Sequence, residues 1–127
     1  MAYKILIVDD SKLARMAVAK VLGSLRPDWE RTEATNADEA LALLRQQPID
    51  VALLDFNMPG RDGLSLAADL REMRPDMPVA VISANVQTEV VARAHDVGAH
   101  FLSKPLTESA LAAFLTDAER RLTTGAE

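Results

Sequence analysis

The sequence predicts a three-layer α/β sandwich, in which helices cover both faces of a parallel sheet. Three observations predict it. Short apolar runs at Ile5-Leu6-Ile7-Val8, Val51-Ala52-Leu53-Leu54 and Val79-Ala80-Val81-Ile82 lack period-2 alternation, which is how strands buried on both faces read. Segments of helical period lie between them. The length, 127 residues, suits one domain with a core of its own.

After the first apolar run, Ala14, Val18, Val21, Leu22 and Leu25 follow the i, i+4, i+7, i+8 pattern, so a helix is expected over about Ser11 to Leu25. Arg31 to Thr35 is a weaker strand candidate, with Trp29 at its start read as a packing or rim residue. Ala37, Ala40, Leu41 and Leu44 form a second stripe, and Asn36 with Glu39 has the spacing of a capping box. A third helix is expected from Asp62 or Gly63, carrying Leu66, Ala67 and Leu70 inward and ending before Pro75. A fourth is expected over about Val86 to Val97, with Gly98 as its C-terminal cap. His100-Phe101-Leu102 is the last strand candidate. The final helix carries Leu111, Phe114, Leu115, Ala118 and Leu122 on one face, with Thr107 placed to cap its start. Strict alternation of five strands and five helices implies parallel strands joined by helical crossovers.

Composition narrows the chemistry. The chain has 14 Lys plus Arg against 19 Asp plus Glu, a net charge of −5, which argues against binding nucleic acid or an anionic membrane by bulk charge. It has no cysteine, which excludes disulfide scaffolds, thiol catalysis and zinc–thiolate sites. No segment reaches the roughly 18 apolar residues of a membrane span, and no signal peptide opens the chain, so a cytoplasmic location is expected.

Open α/β sheets bind ligands beyond the carboxyl ends of their strands, so what each strand delivers there matters most. The first ends in Asp9-Asp10-Ser11, the third in Asp55, the fourth in Ser83-Ala84 and the fifth in Ser103-Lys104-Pro105. In a flavodoxin-like winding, strand order 2-1-3-4-5, the first and third strands are neighbours and their three carboxylates crowd together. Like charges at that spacing need compensation, and a hard divalent cation such as Mg2+ with oxygen ligands supplies it. Lys104 adds a permanent positive charge, and metal and lysine together suit a phosphoryl group. Asp55, alone at its strand end, is the better acceptor for an aspartyl-phosphate, leaving Asp9 and Asp10 to hold the metal. Singly these features have ordinary explanations: Asp-Asp as a turn and helix cap, Lys-Pro as a loop boundary, Ser83 as a hydroxyl satisfying nearby backbone. Their joint placement at four strand ends does not.

From Tyr3 to about Leu122 the chain resembles a response regulator receiver domain of bacterial two-component signalling, of the single-domain chemotaxis type. The stretches that carry the resemblance are Ile7-Val8-Asp9-Asp10-Ser11, Asp55-Phe56-Asn57-Met58-Pro59-Gly60-Arg61-Asp62-Gly63 and Phe101-Leu102-Ser103-Lys104-Pro105. It implies that Asp55 accepts phosphate from a histidine kinase or a histidine phosphotransfer protein. It implies that Asp10 binds Mg2+ directly, Asp9 mainly through water, and that the backbone carbonyl of Asn57 completes the protein ligands. Lys104 would contact the phosphoryl oxygens. Ser83 would move its hydroxyl toward the phosphoryl group and Phe101 would turn inward with it, altering the face of the fourth helix, fifth strand and fifth helix that binds a downstream protein. A cis peptide is implied before Pro105. Phosphorylation adds about −1.5 to −2 charge at neutral pH, enough to bias a two-state surface.

Two departures stand out. The link from Gly98-Ala99 to Phe101 is one residue shorter than is common in the family, and neutral Asn57 and Asn85 occupy the positions that modulate phosphoryl lifetime. The expected organisation is a receiver over residues 1–122 with a tail at 123–127, standing alone rather than cut from a longer regulator, and acting as a monomer or phosphorylation-dependent dimer. It is not expected to be an enzyme beyond its own phosphorylation and dephosphorylation. A phosphatase of the haloacid-dehalogenase type would need an acid where Ser11 stands. A flavin module would be repelled by Asp9-Asp10, and a phosphorylation-independent pseudo-receiver would not need the full acidic set. His95 and His100, with no third ligand beside them, are expected to be solvated surface residues, and Arg120-Arg121 is too short a run for nucleic-acid binding.

Overall fold

The apolar runs become the middle of the sheet. In a computed structural model that describes residues 3–58, 60–84 and 87–125, the chain alternates β1 (Lys4–Val8), α1 (Lys12–Leu25), β2 (Glu30–Ala34), α2 (Ala37–Gln46), β3 (Val51–Asp55), α3 (Gly63–Met73), β4 (Val79–Ser83), α4 (Thr88–Asp96), β5 (His100–Ser103) and α5 (Glu108–Gly125). The strands form one sheet in the order β2-β1-β3-β4-β5, and every pairing is parallel. β3 and β4 are buried throughout, whereas the edge strands β2 and β5 carry exposed positions. That difference is why the central strands read as unbroken apolar runs and the edge strands do not.

Because successive strand residues face opposite ways, each central strand feeds two separate cores. Leu6, Val8, Ala52, Leu54, Val79 and Val81 pack with residues of α2, α3 and α4. Ile5, Ile7, Val51, Leu53, Ala80 and Ile82 pack with Leu22 of α1 and with Leu111, Phe114, Leu115 and Ala118 of α5. This is the three-layer, flavodoxin-like sandwich that the sequence predicts.

Side-chain caps set most of the helix starts. Ser11 Oγ accepts from Ala14 N at 3.2 Å, Asp62 Oδ1 from Ser65 N at 2.7 Å and Thr107 Oγ1 from Ala110 N at 3.1 Å. Asn36 Oδ1 accepts from Glu39 N at 2.8 Å, while the Glu39 carboxylate reaches one residue further back than a capping box requires, to Thr35 N at 2.9 Å. Thr35 therefore belongs to the start of α2, and β2 lies one residue earlier than the Arg31–Thr35 expectation. α4 is shorter than expected: it starts at Thr88 with no side-chain cap bond, and Val97 and Gly98 (φ 75°) end it. Val86, the expected first residue, lies outside the described residues, as do Pro59 and Asn85.

Two aromatic-zone expectations are also resolved. Trp29 is a packing residue, 4% exposed, with its ring edge-to-face against Tyr3 at 5.3 Å. His95 is exposed, but His100 is not the solvated residue expected. Its ring meets Phe114 at 5.0 Å, and its Nε2 lies 3.2 Å from Asp117 and 3.3 Å from Arg121. Partial burial holds its imidazole below the ordinary histidine pKa, with Asp117 pulling the other way and Arg121 and Arg71 adding to the depression. Among the described residues no helix is long and apolar enough to cross a membrane.

Gly63 fixes how α3 meets the end of β3. Its amide donates to Phe56 O at 2.8 Å, and an added Cβ would collide with the Asp55 carbonyl oxygen and lie 2.9 Å from Phe56 Cα. Both obstacles are backbone, so they cannot swing aside. Gly63→Ala should therefore cost about 1–3 kcal/mol through overpacking, read as a lower urea midpoint at unchanged m-value. Wild-type stability in that variant would show that α3 does not press on β3 as described.

Candidate functional site at the carboxyl edge of the sheet

Parallel strands bring all their carboxyl ends to one edge, and pairing of β1 with β3 decides which residues meet there. Val8 pairs with Leu54, so Asp9 and Asp55 follow in adjacent strands. The Asp9 amide donates to Ala34 O at 3.1 Å, and its Oδ1 accepts from Ser11 N at 2.9 Å. Asp9, Asp10 and Asp55 each offer a carboxylate oxygen within 4.8 Å of the others. Asp10 is exposed, Asp9 is 9% exposed and Asp55 is 5% exposed.

Lys104 comes from beyond β5. Its amide donates to Ser83 O at 2.9 Å, which ties it to the end of β4. Its Nζ lies 2.7 Å from Asp55 Oδ1. That oxygen is buried and takes no hydrogen bond among the described residues, so the contact is ionic rather than directional. Lys104–Pro105 is a cis peptide, as the resemblance implies. Ser83 is fully buried and stands one residue beyond Ile82, the register partner of Asp55. Asn57 is exposed in the loop after β3, two residues past Asp55. Phe101 pairs with Val81 in the sheet and is half-buried against the core on the α2–α3–α4 side. Asp9, Asp10, Asp55 and Lys104 are thus brought together, with Ser83 at the neighbouring strand end. Phe101 sits further back along β5, and Asn57 on the rim.

Three carboxylates face one ammonium, an arrangement that leaves net negative charge at the edge. The donor set is all oxygen, with three carboxylates within 4.8 Å of one another, which fits a hard divalent cation. Burial raises the Asp9 carboxyl above its ordinary pKa, the Ser11 amide opposes this, and Asp55 and Asp10 raise it further against Lys104.

Sequence reasoning missed Arg15. Its Nη1 donates to the Asp9 carbonyl oxygen, and its Nε bonds Glu33 Oε1 of β2 at 2.8 Å. The only available signal was an arginine on the early turns of α1, which spacing alone cannot link to a backbone carbonyl. Ser11, where the phosphatase alternative needs an acid, is occupied in capping α1.

Fold and site together define a doubly wound domain of the CheY-like class with an acidic cluster at its carboxyl edge. The chain belongs to the response regulator receiver domain family of two-component systems, whose model matches residues 5–116 and so spans every site residue named above. It is 38% identical over 124 residues to the glycerol metabolism activator of Pseudomonas putida, covering 97% of this chain and 55% of that protein. It is 41% identical over 120 residues to the positive alginate biosynthesis regulatory protein of Pseudomonas aeruginosa, covering 91% of this chain and 47% of that one. The chain thus spans about half the length of these two relatives. Among solved structures, chemotaxis protein CheY4 of Vibrio cholerae superposes with a TM-score of 0.83 at 27% identity, covering 93% of this chain and 99% of that chain.

The raised Asp9 pKa has a definite sign for stability. The folded state holds that proton more tightly than the unfolded chain, so ionised Asp9 destabilises the fold above its folded pKa, and the penalty vanishes below the ordinary value of 3.8. Without divalent metal at pH 7, Asp9→Asn, which can still accept from Ser11 N, should melt above wild type. The gap should close as the pH falls toward 4, in paired melting curves across that range. A gap that widens on acidification would contradict the assignment.

Proposed function

We propose that this receiver is a phosphorylation switch: Asp55 accepts a phosphoryl group in the presence of Mg2+, and the chain signals by altered protein binding through the α4–β5–α5 face. The observation that carries this reading is the buried Asp55 carboxylate, flanked by two further acids and touched by Lys104 at 2.7 Å. The phosphodonor is a histidine kinase or a histidine phosphotransfer protein. Asp55 oxygen attacks the phosphorus of the phosphohistidine. The O–P bond forms as the N–P bond breaks, and the imidazole nitrogen keeps the electron pair of that bond.

Asp9, Asp10, Asp55 and the backbone carbonyl of Asn57 would hold the ion. A bound Mg2+ would offset the crowded negative charge and that of the transferring oxygens. Lys104 neutralises phosphoryl oxygens from the opposite side. The added charge, about −1.5 to −2, draws the Ser83 hydroxyl and Lys104 toward the phosphate. Phe101 turns inward with Ser83, and α4, whose start has no side-chain cap, adjusts with it. The readout runs through packing, because Phe101 has no hydroxyl to present.

The receiver runs through α5 to Gly125, three residues past the expected boundary at 122; it works in the cytoplasm as a monomer or phosphorylation-dependent dimer, engages neither nucleic acid nor membrane, and catalyses only its own phosphorylation and dephosphorylation.

Incubation with acetyl phosphate and Mg2+, followed by intact-mass measurement, should give a single phosphate adduct that a chelator prevents and Asp55→Ala abolishes. An adduct that persists in Asp55→Ala would sink the assignment. Lys104→Ala should still be phosphorylated, but more slowly by up to about 10²–10³-fold, the usual loss when one preorganised charge-stabilising group is removed.

A further inference from the structure

Asp10 is exposed, and its side chain makes no hydrogen bond or ion pair among the described residues. Its direction is therefore set by the backbone that carries it. Asp9, one residue earlier, is held at three points: its amide by Ala34 O, its Oδ1 by Ser11 N and its carbonyl oxygen by Arg15 Nη1. The last of these matters most for Asp10, because the Asp9 carbonyl and the Asp10 amide share one rigid peptide plane. Arg15 thus holds the plane from which the Asp10 side chain departs.

The guanidinium is itself anchored. Its Nε bonds Glu33 Oε1 at 2.8 Å, on the neighbouring strand β2, and the Arg15 side chain is only 11% exposed. Nη1 thus meets the backbone of the acid turn while Nε is tied to the edge strand.

We propose that Arg15 is a positioning residue for the metal-holding acids, acting through the Asp9–Asp10 peptide, and that Glu33 keeps it in that role by anchoring its Nε on β2. The proposal rests on the metal reading given above. It also makes a prediction opposite in sign to simple electrostatics. Removing a positive charge near a cation site should tighten cation binding by Coulomb's law, whereas losing a group that orients the ligands should weaken it.

The test is Mn2+ binding to the unphosphorylated protein, followed by electron paramagnetic resonance and by competition with Mg2+, with far-UV circular dichroism to verify folding. Arg15→Met, which keeps the aliphatic stem, should weaken Mn2+ binding about 10–100-fold, the range typical for loss of a group that orients metal ligands. Glu33→Ala should weaken it by a smaller factor, because Arg15 then loses one of its two anchors while keeping its bond to the Asp9 carbonyl. Unchanged or tighter binding in a folded Arg15→Met protein would overturn the positioning role. Should that variant not fold, Glu33→Ala carries the test alone, and wild-type affinity there would overturn the proposal. A wild-type protein that binds no Mn2+, or an Asp10→Asn variant that binds like wild type, would instead overturn the metal reading beneath it.

Discussion

The parallel pairing of β1 with β3 is the constraint on which the carboxyl edge depends. It sets Asp9 and Asp55 side by side and brings three acids within 4.8 Å of one another, an arrangement whose like charges repel. The fold tolerates it because the strands behind are buried at nearly every position and cannot shift register without turning their apolar side chains out of the core. Hydrophobic burial in the two cores thus holds like charges together, and Lys104 offsets only part of the repulsion. What is left over is net negative charge at the carboxyl edge.

Most of the fold was legible because its strongest signals are local. Unbroken apolar runs marked the buried strands, and the caps read at Asn36 and Thr107 use side chains within three residues of the amides they accept from. Legibility fell where no local device exists. α4 begins at Thr88 without a side-chain cap, later than the expected start near Val86, whereas its end falls at the expected Gly98. β2 was displaced by one residue because Thr35, a good strand former by type, is claimed by the Glu39 carboxylate.

The site divides in the same way. Asp9, Asp10, Asp55, Ser83 and Lys104 could be read as a set because parallel strands gather their ends, so position along the chain stood in for position in space. Arg15 could not, since a side chain bonded to a backbone carbonyl leaves no pattern in residue types, and Glu33 lies 18 residues away from it. His100 was misjudged for a related reason. Its neighbours Phe114, Asp117 and Arg121 come from α5, and only the packing of α5 on β5 turns a polar edge-strand residue into a half-buried one.

The division of the core by the sheet has a consequence for how such a protein can change. Phe101 belongs to the layer shared with α3 and α4, while its chain neighbour Leu102 and the residue after the cis proline, Leu106, belong to the layer shared with α1 and α5. The sheet therefore works as a wall between two separately packed compartments, both of which reach the carboxyl edge. A substitution that reshapes the α1 surface need not disturb the packing under α4, and the reverse holds too. Two molecular identities, one for each side of the wall, can drift separately on one scaffold while the chemistry at their common edge stays fixed.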